Sequence, residues 1–158
     1  MLEEGLRSPR IRAAKGGHIL REANRFRVFE DRKIAPSELA NLMASVGWGD
    51  EADYDRELVE HSMASYPFIA HVRDLIGKLV GYVSAFSDGA FSTFIGELAV
   101  RPEVQHLGLG TELLDRVERH CPGIPVYAHS FADQEGFFAA RGYRVAARPQ
   151  RVLFKIPA

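Results

Sequence analysis

The sequence predicts one α/β domain, a mixed, mostly antiparallel twisted sheet flanked by helices. Three observations predict it. Two apolar runs, Pro67 to Val72 and Lys78 to Phe86, lie on either side of the turn Asp74 to Gly77 and read as a hairpin. Leu109, Leu113, Leu114 and Val117 fall at helical spacing soon after a strand that ends at Val100. Strand-like and helix-like stretches follow in the order β-α-α-β-β-β-α-β-α-β-β, with no internal repeats and no low-complexity tracts. At 158 residues and 46% hydrophobic content, the chain is sized for a single domain that buries its own core without staples.

Residues 1 to 25 carry Arg7, Arg10, Arg12, Lys15, Arg21 and Arg25 against Glu3, Glu4 and Glu22, with few large apolar residues before Ile19. An arm is expected there, with the domain over 26 to 158. Phe26 to Phe29 reads as the first strand. Pro36 to Val46 reads as a helix with proline in its first turn, where the missing N–H is no loss, and Asp53 to Tyr66 as a second helix. After the hairpin, Ser87-Asp88-Gly89 turns the chain into a strand from Phe91 to Val100, which Pro102 stops. A helix over 108 to 120, a strand from Ile124 to His129 and a helix from Asp133 to Arg141 follow. Strands near Tyr143 to Ala147 and Arg151 to Ile156 complete the order, and the last offers an edge through which a homodimer could form.

The junction between the strand ending at Val100 and the helix of Leu109 carries the chemistry. Its residues read V-R-P-E-V-Q-H-L-G-L-G. The first N–H groups of a helix have no intrahelical partner and point outward with the positive end of the dipole, so a phosphate fits there. Gly108 and Gly110 lack a Cβ, which lets the chain turn sharply and a ligand approach the backbone. A mononucleotide loop needs Lys-Ser or Lys-Thr after its last glycine, whereas Gly110 precedes Thr111-Glu112. A dinucleotide loop needs glycine or alanine where Leu113 stands.

What remains, Val100-x-Pro102-x-x-Gln105-x-x-Gly108-x-Gly110, closely resembles the acyl-CoA-binding signature of the GNAT superfamily of N-acyltransferases. Downstream, Gly136-Phe137-Phe138-Ala139-Ala140-Arg141-Gly142-Tyr143 is similar to that family's helix-to-strand segment. The resemblance implies the family's acyltransferase fold and acetyl-CoA as cosubstrate. It also implies transfer of an acetyl group to a primary amine, of a small molecule or a peptide, by direct attack in a ternary complex. By the same resemblance, Leu98, Ala99 and Val100 hydrogen-bond the pantetheine amides, with one backbone N–H there polarising the thioester carbonyl. Gln105 opens the loop, and His106, Leu107, Gly108, Leu109, Gly110 and Thr111 surround the pyrophosphate. The sequence departs from the family at Phe138, where a tyrosine would protonate the leaving thiolate. It departs again at Phe131, where an asparagine would touch the cofactor. Phe138 remains a cofactor contact; water or no acid at all can suffice for the thiolate, with Tyr127 and Tyr143 as the secondary donor candidates. The competing expectation is a non-catalytic CoA-binding or regulatory module of the same fold.

Alternation along the strand sends Leu98 and Val100 to one face and Glu97 and Ala99 to the other. A lysine-like acceptor amine holds its proton up to a pKa of about 10, and a carboxylate beside the cofactor strand can remove it, an effect of about 10² to 10⁴ in rate. Glu97 is therefore the candidate general base, set against a plain solvated glutamate on an open sheet face; His129 is the second candidate. Between Gly47 and Glu60 stand Asp50, Glu51, Asp53, Asp55, Glu57 and Glu60, opposed by Arg56 alone. With Trp48 they make either an acidic rim suited to a cationic or aromatic amine, or acids that complement a helix dipole.

Composition excludes other classes. A formal charge of -1 offers no electrostatic footprint for nucleic acid. The six histidines, His18, His61, His71, His106, His120 and His129, show no paired metal spacing, so no metal is expected. The single Cys121 can make no intramolecular disulfide and sits before Pro122 as a helix-end packing residue, which suits the reducing cytoplasm. No apolar run approaches a membrane span or a signal peptide's core.

Overall fold

The computed structural model describes residues 25–148 and 152–156. Five strands form one sheet in sequential order: β1 (Phe26–Phe29), β2 (Phe68–Asp74), β3 (Leu79–Ser87), β4 (Thr93–Val100) and β5 (Val126–Tyr127). The first three pairings are antiparallel and β4 with β5 is parallel. Helices α1 (Pro36–Ser45) and α2 (Arg56–Ser65) cover one face, α3 (Leu109–His120) covers the other, and α4 (Glu135–Ala139) follows β5. The mixed sheet with flanking helices is the architecture expected.

The helices begin where local chemistry starts them. Pro36 opens α1, and the Glu38 carboxylate accepts the Ala35 N–H at 2.9 Å. Asp55 starts α2 by accepting the Leu58 N–H at 3.0 Å. The expected helix from Asp53 is therefore two pieces, a 3-10 turn at Glu51–Asp53 and α2 proper, because Asp55 caps the second. In the hairpin loop, Asp74 accepts from the N–H groups of Ile76 and Lys78. Strand β4 begins at Thr93 rather than Phe91, because the Asp88 carboxylate gathers the N–H groups of Ala90, Phe91 and Ser92 and holds them in the turn. Those donors lower the Asp88 pKa to about 2.

Two cores result, one on each face. Leu109, Leu113, Leu114 and Val117 of α3 pack on Val72, Val83 and Ile95; on the opposite face, Leu39, Leu42 and Met43 of α1 and Met63 of α2 pack on Ile69, Tyr82 and Ala99. Strand β3 is covered on both faces from Leu79 to Ala85, which is why its sequence reads as a nearly continuous apolar run.

The C-terminal expectations are corrected. The strand expected over Ile124 to His129 shrinks to Val126–Tyr127, and the helix expected to reach Arg141 stops at Ala139. Neither Tyr143 to Ala147 nor 152–156 forms a strand. A strand exists only where its N–H and C=O groups meet a ladder, and β5 supplies just two residues. Val145, Val152, Leu153, Phe154 and Ile156 stay 65–89% exposed, so the edge proposed for a homodimer is not formed among the described residues. The arm expected over 1 to 25 lies, apart from Arg25, outside those residues.

One core residue sets a pH dependence. His71 is 1% exposed, stacked on Phe29, with Nε2 3.1 Å from the Asp31 carboxylate and Nδ1 without a partner among the described residues. Burial pushes its pKa below the ordinary range, against the opposing pull of Asp31. The folded state then binds its proton less readily than the unfolded chain. The stability His71 contributes is complete above an unfolded histidine pKa of about 6.5 and lost as pH falls through the lower folded value. Urea midpoints measured from pH 8 down to 5 are expected to decline, and His71→Phe is expected to flatten that slope.

Candidate active site

Pairing between β4 and β5 covers only Thr93 with Val126 and Phe94 with Tyr127, after which the strands part. Arg101 donates its N–H to Val80 at 2.9 Å, and because backbone direction alternates, Ala99 faces β3 while Leu98 and Val100 face the gap. The gap opens into a cleft of about 580 Å³. One wall is Ile95, Gly96 and Leu98 to Val100; the other is Ala128, His129, Ser130 and Phe131. Phe137 and Phe138 close one end, and Val46, Gly47 and Trp48 reach in from the loop after α1.

The loop at the base of the cleft turns sharply. Gly108 takes a left-handed φ of 85° and His106 one of 64°, the only non-glycine residue with positive φ among those described. Within the described residues, none of the backbone N–H groups from His106 to Thr111 donates to a protein acceptor, and the next, Glu112, returns to the Gly108 carbonyl at 3.0 Å. A run of free donors at a helix start binds anions. A Cβ added at Gly108 would meet open space, whereas one at Gly110 would stand 3.2 Å from the Phe137 ring. The loop is tied down on both sides. Gln105 donates its side-chain amide to the Val100 carbonyl at 2.9 Å, and the buried Arg101 donates to Leu79 at 2.8 Å and to Asn41.

Of the residues singled out in the sequence, Leu98, Ala99, Val100, Gln105, His106, Leu109, Gly110 and Phe138 line the cleft, as does His129. Four are placed differently. Ala99 turns its backbone to β3, so only Leu98 and Val100 present amides to the gap. Leu107, Gly108 and Thr111 are outside the lining, and their backbone N–H groups have no protein acceptor among the described residues.

Glu97 is also outside the lining, beside the cleft residue Gly96. A bulge makes Gly96 and Glu97 together oppose Ser84, since Val83 pairs with Leu98 and Ala85 with Ile95. The Glu97 carboxylate accepts from Tyr66 Oη at 3.2 Å and from Ser84 Oγ, while its N–H donates to Ser84 Oγ at 3.0 Å. Sequence reasoning missed Tyr66 and Ser84. A lone serine inside the apolar run Val80 to Phe86 was the one available signal.

Two expectations fail on geometry. Tyr143 donates its hydroxyl to Glu118 on α3 at 3.3 Å and is pushed up to about 12, mainly by burial. Tyr127 stacks on Phe94, and neither phenol lines the cleft. The acidic rim does not form either. Asp53 and Asp55 accept backbone N–H groups, Glu51 accepts from Asn41, Glu60 pairs with Arg56, and no acid of that run lines the cleft, although Trp48 does. Among the described residues, no group of three or more His, Cys, Asp or Glu side chains is placed to hold a metal, and no helix is long and apolar enough to cross a membrane.

Phe138, edge-on to Phe137 and Tyr143, stands where a proton donor was expected. A thiolate leaves readily near neutral pH, so Phe138→Tyr is expected to leave kcat within about threefold, or to lower it slightly through an unsatisfied hydroxyl worth about 1 to 3 kcal/mol. A rise of about tenfold with the acyl donor that the sequence resemblance implies, at saturation, would show instead that protonation is the slow step.

A sheet that parts beside a helix start rich in free donors leaves room for an extended ligand with an anionic group. The chain belongs to the acetyltransferase (GNAT) family, whose family model matches residues 34–143. It is 34% identical over 70 residues to GCN5-related N-acetyltransferase 3, chloroplastic, of Arabidopsis thaliana, a match covering 42% of this chain and 30% of that protein. It is 28% identical over 87 residues to an uncharacterized N-acetyltransferase of Pyropia yezoensis, covering 55% of this chain and 50% of the relative. The chain thus spans half or less of the curated relatives it matches. Among solved structures, a GNAT acetyltransferase from Streptococcus pneumoniae aligns with a TM-score of 0.66 at 18% identity, over 82% of this chain and 98% of the other. A GNAT acetyltransferase from Staphylococcus aureus aligns at 0.64 and 18%, over 78% and 87%. These likenesses establish the fold.

Proposed function

We propose that this chain moves an acetyl group from acetyl-CoA to a primary amine by direct attack, both substrates being bound together. The carrying observation is the run of free N–H groups from His106 to Thr111 at the foot of the β4–β5 gap. The pyrophosphate lies against those donors, and pantetheine runs along Leu98 and Val100, whose backbone groups face the gap. A backbone N–H on β4 polarises the thioester carbonyl. The amine nitrogen bonds to the acetyl carbon, the C–S bond breaks with its electron pair on sulfur, and the amine's proton passes to Glu97. Because Glu97 stands beside the cleft lining rather than in it, that proton travels through a water past Gly96. No acyl-enzyme forms. The acceptor is a small-molecule or peptide amine, and Trp48, which lines the cleft, offers it an aromatic face. The lone buried Cys121 suits a reducing compartment such as the cytoplasm.

One observation favours the second reading, a non-catalytic CoA-binding module: Phe138 lines the cleft where a tyrosine donor was expected, and Phe131 where an asparagine contact to the cofactor was expected. Two measurements separate the readings. Acetyl-CoA is expected to raise the melting temperature, with linkage of about 2.7 kcal/mol at 100 times its dissociation constant. Thiol release over an amine panel is expected to exceed the no-amine rate. Binding without amine-dependent turnover supports the module, and no binding at millimolar acetyl-CoA overturns both.

A further inference from the structure

Glu97 is gripped from two elements. Ser84 on β3 is fully buried, and its hydroxyl is used twice, donating to one Glu97 carboxylate oxygen and accepting the Glu97 N–H at 3.0 Å. Tyr66, just past the end of α2, donates to the other oxygen at 3.2 Å. Each carboxylate oxygen thus has its own hydroxyl donor. Arg32 fixes Tyr66 from behind by donating to the carbonyls of Met63, Tyr66 and Pro67.

Tyr66 reaches Glu97 only because residue 96 has no side chain. A Cβ at Gly96 would come within 2.6 Å of Tyr66 Cε1 and Cζ. The glycine is therefore a notch. It lines the cleft on one side and admits the Tyr66 ring over its bare backbone. Burial, and after it the Glu97 charge, raises the Tyr66 pKa, so the phenol keeps its proton and stays a donor. The buried Tyr82 also feels Glu97 and is likewise raised.

We infer that Tyr66 and Ser84 are positioning residues for Glu97, two hydroxyls that hold its carboxylate in one rotamer beside the cleft, and that Gly96 is small in order to let Tyr66 do so. The inference rests on the proposed role of Glu97 as base. A base misplaced by about 1 Å loses about 10² in rate, although substrate binding is untouched.

The test is a double-mutant cycle on the full chain, read as kcat and KM for acetyl-CoA and an active amine. Tyr66→Phe and Ser84→Ala are each expected to lower kcat about tenfold with both KM values within about twofold, and Gly96→Ala, by pushing the ring aside, is expected to act like Tyr66→Phe. In the Glu97→Gln background, Tyr66→Phe is expected to have no further effect on kcat. A merely structural role would lower activity in both backgrounds alike. If Glu97→Gln lowers kcat but Tyr66→Phe and Gly96→Ala do not, the positioning inference is overturned while the base reading stands. If Glu97→Gln is itself silent, the base reading falls and the inference with it. Should Ser84→Ala fail to fold, the Tyr66 and Gly96 variants decide.

Discussion

Gly110→Glu is expected to abolish the stabilisation that the proposed function assigns to acetyl-CoA. The residue lines the cleft in the first turn of α3, where an added Cβ would stand 3.2 Å from the Phe137 ring, and a carboxylate would put negative charge where the proposed function places the pyrophosphate. A shift of about 2.7 kcal/mol at 100-fold excess ligand would vanish. Gly108→Ala makes the contrasting control. Its Cβ has open space but must sit at a φ of 85°, so it is expected to lower stability by about 1 to 2 kcal/mol while leaving binding measurable. Thermal melts and calorimetry of both variants check this. Wild-type binding by the Gly110→Glu protein would rule out the pyrophosphate reading of the loop.

Glu97→Gln is expected to lower kcat by about 10² to 10⁴ with acetyl-CoA affinity unchanged. Glutamine keeps the shape and can still accept from Tyr66, so the packing of the bulge survives and only the proton acceptor is lost. The same substitution should remove an ionisation from the pH–rate profile. Wild-type turnover in a variant whose circular dichroism matches the parent would move the base to His129, which lines the cleft directly.

Much of this was legible in the chain because its causes are local. The hairpin, α1, α3 and the glycine loop before it follow from turn residues, helical spacing and two glycines after a proline stop. The C-terminal strands were misread for a physical reason: Val145 and Leu153 to Ile156 have strand-like composition, but composition does not supply a ladder partner, and β5 ends after Tyr127. The Tyr66–Ser84–Glu97 cluster was invisible for another reason. It depends on a bulge that sets two residues of β4 against one of β3, and register is a property of paired strands. Acids between Gly47 and Glu60 looked like a rim because charge reads plainly in sequence, whereas the N–H groups that engage Asp53 and Asp55 do not.

Unpaired strand edges ordinarily lie at the border of a sheet, where another protein's strand can add to them and seed aggregation. In this protein β4 is an inner strand, and its free edge forms one wall of a cleft that the start of α3 and Phe131, Phe137 and Phe138 help enclose. A flat foreign strand, flanked by its own sheet, cannot reach that edge; a slender, flexible chain can. The same parting of the sheet that leaves backbone groups free for a ligand thus screens them from other proteins, and the concentration at which the protein self-associates should be insensitive to acetyl-CoA.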